Sequence, residues 1–138
     1  IFDNPQKERT RQFIRHLKVL EYPITSKDFD FIGFNTQIEE FGRKHRISQR
    51  SIYNIQAFIE EMCVQIILSQ LQNPFEMLVT IEYSEELDDA DVVIRYNGES
   101  FDPMQTDNTL SLLLAKKVTE NISYSFDAEQ VLPNRVDA

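Results

Sequence analysis

Hydrophobic residues recur at helical spacing through the middle of the chain. The apolar positions step by three and four residues and predict a long helix that begins near Ser48 or Ser51 and ends near Asn73-Pro74. This stripe consists of Ile52, Ile55, Ile59, Met62 and Ile66. It is the clearest periodicity in the sequence.

Two further helices are predicted ahead of this one. The pair Asn4-Pro5 offers an N-cap followed by proline at the first helical position, which predicts a helix over 5–17. An extended piece is expected over 19–24, and Thr25-Ser26 is expected to cap the next helix.

The second half of the chain alternates between strand and helix patterns. Alternating apolar residues predict strands over 77–83 and 122–126, and a β-branched run over 92–94 predicts another that stops at Asn97-Gly98. A helix follows a cap at Asp107 or Asn108, with its run of three leucines, 112–114, expected in the core. The order predicts an α/β fold: a two-layer sandwich with a mixed sheet and helices on one face.

Composition favours one globular unit. The chain has 138 residues, 41% hydrophobic and 27% charged. Its single cysteine, Cys63, excludes an internal disulfide and is expected to be a small core residue. There is no apolar run of the roughly 18 residues that a membrane span needs. The first residue is Ile1 rather than methionine, so we expect a piece of a longer protein.

The net charge of −9 is unevenly distributed along the chain. The first 50 residues carry ten Lys/Arg and seven Asp/Glu, a balance of +3, and the remainder has a balance of −12. An acidic body disfavours nucleic acid and anionic lipid as main partners, because both need cationic surface. The acidic residues between 84 and 91 lack the spacing of a calcium loop and are expected to be a solvated connector.

The first residues resemble the end of a known domain. The string is Ile1-Phe2-Asp3-Asn4-Pro5-Gln6-Lys7-Glu8-Arg9-Thr10-Arg11-Gln12-Phe13. It is similar to the last stretch of the ATP-binding subunits of polar amino-acid ABC transporters, where a Phe-Asx-Asn-Pro element precedes a Glu-Arg-Thr-Arg-x-Phe helix. The resemblance implies that 1–19 is the tail helix of an ABC ATPase domain and that 20–138 is a C-terminal extension of it. No glycine-rich phosphate loop is present in the sequence.

Three sets of residues follow one another along the region of about 25–130: Glu61 and Gln65 on the long helix, the loop string 96–103 and the turn 109–112. In this order they resemble the motifs of the GHKL (Bergerat-fold) ATPase superfamily of histidine kinases and anti-sigma-factor kinases. In that family a long helix carries a glutamate that polarises a water or hydroxyl, and an asparagine four residues on that holds Mg²⁺. Here those positions are Glu61 and Gln65. Gln65 is one methylene longer than asparagine, so it would hold a metal differently.

Two further motifs of that superfamily have degenerate counterparts. The adenine-reading loop corresponds to a string that keeps Asn97, Gly98 and Asp102 but has Tyr96 for the family's aspartate and Ser100 for a glycine. The phosphate-cradling turn corresponds to Thr109-Leu110-Ser111-Leu112, in which Thr109 and Ser111 replace glycines. A Cβ at these positions penalises close backbone approach to phosphate.

These resemblances imply a regulatory or protein-interaction domain that has lost ATP binding and is not itself an enzyme. We expect no catalytic residue, metal or cofactor in this piece, with ATP and Mg²⁺ belonging to the upstream ATPase. The implied partners are that ATPase domain, the transporter permease and a second copy, at the cytoplasmic face of the membrane without insertion. Two alternatives stay open: an active GHKL-type serine kinase with Glu61 as base, and a small-molecule sensor that uses the vacated cleft.

Overall fold

The structure, a computed structural model, describes residues 17–138. The helix predicted over 5–17 and the resemblance carried by 1–13 therefore lie outside the described residues, apart from Leu17. The division into 1–19 and 20–138 stays a prediction, and the first strand begins at Lys18.

The described chain contains five strands and three main helices. The strands are β1 (Lys18–Ile24), β2 (Met77–Ser84), β3 (Asp89–Tyr96), β4 (Ser123–Phe126) and β5 (Asn134–Asp137). Helix α1 spans Phe31–Lys44, and helix α3 spans Thr109–Lys117. Helix α2 is α-helical over Gln49–Phe58, π-helical over Ile59–Ile67 and closes with an α-helical turn over Leu68–Gln70. A single 3₁₀ turn, Pro103–Gln105, precedes α3.

Polar side chains fix where the three helices begin. Ser48 caps α2 and Asn108 caps α3, each accepting a hydrogen bond from a backbone N–H three residues on. Both positions were among the predicted caps. The cap predicted at Thr25-Ser26 is wrong, because Ser26 instead accepts from the N–H of Asp28 in a turn and α1 starts later, capped by Asp30.

The sheet is antiparallel throughout, in the order β1-β2-β3-β5-β4. The predicted mixed sheet is therefore wrong, although the α/β sandwich class is confirmed. The reason is β5, a four-residue strand that the sequence pattern does not predict. It lies between β3 and β4 and pairs antiparallel with both, so the two strands that α3 connects are never neighbours.

One face of the sheet packs against the helices and forms the core. Alternate residues of β2 are buried, and their partners on β3 are buried with them. The stripe predicted for α2 is also buried, so that long helix is confirmed. These core residues are Met77, Val79, Ile81, Val92, Ile94 and Tyr96 from the strands, and Ile52, Ile55, Ile59, Met62 and Ile66 from α2. Cys63 is fully buried among them, as predicted.

Helix α3 packs against the π-helical stretch of α2 through small residues. Ser111 and Ala115 are buried at this contact, whereas Leu113 and Leu114 face outward with 52% and 38% of their surface exposed. The expectation that the leucine run lies in the core is therefore wrong for these two positions. Among residues 17–138, none of the helices has the length and apolar character needed to cross a membrane.

Candidate functional site

The end of β3 and the loop that follows it carry five of the nine predicted site residues. Tyr96 is the last residue of β3, Asn97, Gly98, Ser100 and Asp102 lie in the loop, and Thr109 and Ser111 lie in the first turn of α3. We call residues 97–103 the β3–α3 loop. Its conformation decides what the site does.

Tyr96 is the floor of this loop. Strand alternation places it on the helix-facing side of β3 opposite Met77, and its side chain is fully buried. The phenol hydroxyl donates a hydrogen bond to the carbonyl oxygen of Phe101, at 2.5 Å. Burial raises the pKa of the Tyr96 phenol, and the nearby Tyr124 and Asp102 raise it further, so the group is a neutral donor. The ring thus fills the space under the loop.

Asn134, the first residue of β5, ties the loop to the sheet. Its side chain is completely buried, and its amide nitrogen donates to the carbonyl oxygens of Tyr96 at 3.3 Å and Glu99 at 3.1 Å. Its amide oxygen accepts from the backbone N–H of Phe101 at 3.0 Å. One buried side chain therefore satisfies backbone groups on both sides of the turn, which fixes the loop against β5.

Tyr124 on β4 closes the same network from the outer side. Its hydroxyl donates to the amide oxygen of Asn134 at 2.6 Å and accepts from the N–H of Phe101 at 3.1 Å. Because the single phenol proton goes to Asn134, the 3.0 Å contact with the hydroxyl of Ser100 has Ser100 as donor. Two loop residues, the predicted Ser100 and its neighbour Phe101, are thereby engaged in internal hydrogen bonds.

The remaining loop residues have structural partners too. Asn97 accepts from the backbone N–H of Glu76 at 2.9 Å, which joins the loop to the segment before β2. Gly98 has a φ of +97°, in the region that glycine adopts without penalty, so the turn needs glycine here. Asp102 caps the 3₁₀ turn by accepting from the N–H of Met104 at 2.9 Å.

The start of α3 offers few free amides to a phosphate. The N–H of Ser111 is bound by the side chain of Asn108 at 3.2 Å, and the N–H of Thr109 is bound by the carbonyl of Asp107 at 2.9 Å. Thr109 is exposed, whereas Ser111 is 6% exposed against α2. Thr109 and Ser111, whose Cβ atoms are predicted to penalise close approach of the backbone to a phosphate, lie in the first turn of this helix.

Glu61 and Gln65 lie on the polar side of α2. Gln65 is exposed, and Glu61 lines a groove of about 330 Å³ with Asn35 and Glu39 of α1. Within residues 17–138 no hydrogen bond joins Glu61 or Gln65 to the β3–α3 loop. Five of the nine predicted residues therefore lie at the end of β3 and in the loop, Thr109 and Ser111 lie at the start of α3, and Glu61 lies in a groove with α1.

Across residues 17–138 no group of three or more His, Cys, Asp or Glu side chains is arranged to hold a metal ion. A comparison with models of known protein families and with curated protein sequences finds no match for this chain. Any function therefore has to be argued from the residues and their geometry.

Sequence reasoning missed the two residues that organise the loop. Asn134 and Tyr124 are far from the loop along the chain, and β5 is too short and too polar to be predicted as a strand. The only available signal for Tyr124 was its place in the alternating segment 122–126.

A larger cleft lies at the other end of the sheet and was also not predicted. Its volume is about 570 Å³, and it is bordered by the β2–β3 turn, the first half of α2 and the end of α3. Asp88, Asp89, Asp91, Lys117 and Glu120 give it its charge. Burial raises the pKa of Asp91, and the nearby Asp89, Glu82 and Asp137 raise it further. The floor is apolar and includes Ile55, Phe58 and Val92.

Proposed function

We propose that this chain is a non-catalytic regulatory or protein-interaction domain, appended to the ATP-binding subunit of an amino-acid ABC transporter. The transporter context rests on the resemblance of 1–13 to the end of that ATPase. The fold assignment rests on the degenerate motifs that resemble a GHKL ATPase. On this proposal the domain lies at the cytoplasmic face of the membrane, and the upstream ATPase and the permease are its partners.

The observation that carries the loss of ATP binding is the position of Tyr96. Its ring occupies the place under the β3–α3 loop where the resemblance would put an adenine, and its hydroxyl bonds the loop itself. Asn134 and Tyr124 hold the loop over that ring. A base could enter only by breaking these partly buried hydrogen bonds, each of which costs about 1–3 kcal/mol when a polar group is left unpaired.

The proposed mechanism is a bias on the ATPase dimer. A domain that docks better on one separation of the two ATPase halves stabilises that state by its difference in affinity for the two. A difference of about 1.4 kcal/mol changes the ratio of open to closed dimers tenfold. No chemistry in the appended domain is needed for this effect.

The direct test deletes 20–138 from the full-length parent and compares transport and ATP hydrolysis with the intact protein. We expect either rate, or its response to substrate, to change while the ATPase still assembles. Unchanged transport and hydrolysis under all substrate conditions would contradict the proposal.

The cleft of about 570 Å³ favours one second candidate, a small-molecule sensor. Its carboxylates, Lys117 and apolar floor suit a small ligand that carries an amino group and an apolar part. This cleft is not the degenerate nucleotide site, so the sensor alternative moves to a different place in the fold. Thermal-shift screening with amino acids tests it, because a ligand at 100 times its dissociation constant stabilises by about 2.7 kcal/mol.

An active serine kinase is the other alternative, and it receives no comparable support. It requires Glu61 beside a bound nucleotide, whereas Glu61 borders the groove with α1. A Glu61→Ala variant distinguishes the kinase from the non-catalytic domain. It should abolish any ATP turnover if the domain is a kinase, and it should change nothing if the domain is non-catalytic.

A further inference from the structure

Helix α3 exposes an apolar face. Leu110, Leu113 and Leu114 are 66%, 52% and 38% exposed, and we call these three residues the leucine face. With Lys117 they follow the spacing i, i+3, i+4, i+7, which places all four on one side of the helix.

The opposite side of α3 is already occupied. Ser111 and Ala115 are buried against α2, so the helix meets the core of its own domain through its small residues. A helix that is apolar on both sides is typical of one that is covered on both sides. The leucine face is therefore an exposed apolar patch of the kind that marks a contact with another protein surface.

The charges at the two ends of α3 favour a second copy of the same helix as the partner. Asp107 precedes the N-cap, and Lys116 and Lys117 lie in the last turn. The ion pairs within residues 17–138 join Lys18 to Glu85 and Arg135 to Asp137, so neither Asp107 nor Lys117 is engaged in one of them. An antiparallel copy of the same helix brings an acidic start against a basic end twice, once at each end.

We propose that α3 is the contact through which two copies of this chain associate, with their α3 helices antiparallel across a two-fold axis near the middle of the helix. Leu110 of one copy then faces Leu114 of the other, and Lys117 faces Asp107. The same pairing sets the two helix dipoles side by side and antiparallel, with each N-terminus beside the partner's C-terminus, which is favourable. The contact is self-complementary, as an isologous interface must be.

The size of α3 sets the strength of this contact. Nine residues at 1.5 Å each give a helix of about 14 Å, whose face is much smaller than the ~800 Å² per partner of a stable interface. The pairing is therefore weak for separate chains. The next step rests on the proposed function. In the parent protein the pairing of the two α3 helices becomes stronger, because a dimeric ATPase tethers two copies at an effective concentration that can reach the millimolar range.

The test is sedimentation equilibrium of the 138-residue chain at concentrations from about 10 µM to about 1 mM, where a weak contact becomes populated. We expect a monomer–dimer equilibrium that Leu110→Ser abolishes. Leu110 is exposed, so the variant should unfold at the same temperature as the parent, which circular dichroism checks. A chain that stays monomeric up to the highest concentration overturns the proposal and leaves the ATPase domain as the occupant of the leucine face.

A charge exchange tests the antiparallel arrangement. Asp107→Lys and Lys117→Glu should each weaken association about tenfold, because each replaces two attractive contacts with two repulsive ones. The double variant should restore it. Lys116→Glu makes the same charge change beside the leucine face and should have a much smaller effect. A double variant as weak as either single one overturns the proposal, and neither result bears on ATP binding or on the deletion of 20–138.

Discussion

The hydroxyl of Tyr96 and the carbonyl oxygen of Phe101 are joined by a hydrogen bond that closes the loop after β3 over a fully buried ring. The ring fills the core beneath the loop, and the hydroxyl keeps the loop in place above it. Tyr96 therefore contributes both to the fold and to the proposed loss of nucleotide binding, because its ring packs in the core and its hydroxyl holds the loop closed.

The two contributions of Tyr96 can be separated by substitution. Tyr96→Phe keeps the ring and leaves the Phe101 carbonyl without its donor, so we expect a loss of about 1–2 kcal/mol in the free energy of unfolding. Tyr96→Ala also empties the core position, and we expect a loss of about 3–5 kcal/mol. Urea unfolding measures both, with Tyr53→Phe, at an exposed position, as the control. Equal losses for the two variants would show that packing plays no part.

Asn134 should be the most sensitive polar position in the described chain. Asn134→Ala removes the donor to the carbonyl oxygens of Tyr96 and Glu99 and the acceptor of the Tyr124 hydroxyl, and leaves the Phe101 N–H with Tyr124 alone, so we expect a loss of about 2–4 kcal/mol. The matched control is Asn121→Ala, at an exposed position, with an expected change below about 0.5 kcal/mol. Similar values for the two variants in urea unfolding would argue against the network.

A side chain at position 98 should find enough space but should strain the backbone. An added Cβ meets no atom within 4 Å, so a cost can come only from its φ of +97°. We expect Gly98→Ala to lower the free energy of unfolding by about 1–2 kcal/mol. Gly98→Asn should lose less, because asparagine accepts positive φ more readily than alanine does. Equal losses for alanine and asparagine would contradict this explanation.

Cys63 should be unreactive in the folded protein. Burial raises the pKa of its thiol to about 12, so at pH 8 only about one molecule in 10⁴ carries the thiolate. Reaction with a thiol reagent should be slow in buffer and fast in urea. Since the folded pKa lies above the unfolded one, its contribution to stability is present below about pH 9 and lost as pH rises toward 12. Rapid reaction of the native protein at pH 8 would contradict the burial of this thiol.

Much of the fold follows from local sequence pattern. The stripe of α2 and the alternation of β2 bury one face each, and a pattern of that kind specifies both the element and the side that faces the core. The caps Ser48 and Asn108 are equally local, because the accepting side chain and the donating N–H are three residues apart. These features need no knowledge of the rest of the chain.

The features that were missed depend on contacts between distant residues. β5 is a strand because it fits between β3 and β4, not because Asn134–Asp137 alternates strongly. Asn134 acts on a loop more than 30 residues away. Helix α3 is apolar on several sides, so its sequence could not tell which leucines would face outward. Its small residues decided that orientation through their contact with α2.

The most direct test of the central claim is a calorimetric titration of the 138-residue chain with Mg-ATP. With Tyr96 under the loop and Asn134 holding it closed, we predict no binding heat up to about 1 mM nucleotide, which corresponds to an affinity weaker than about −4 kcal/mol. Saturable binding of one nucleotide per chain with a micromolar dissociation constant would contradict it.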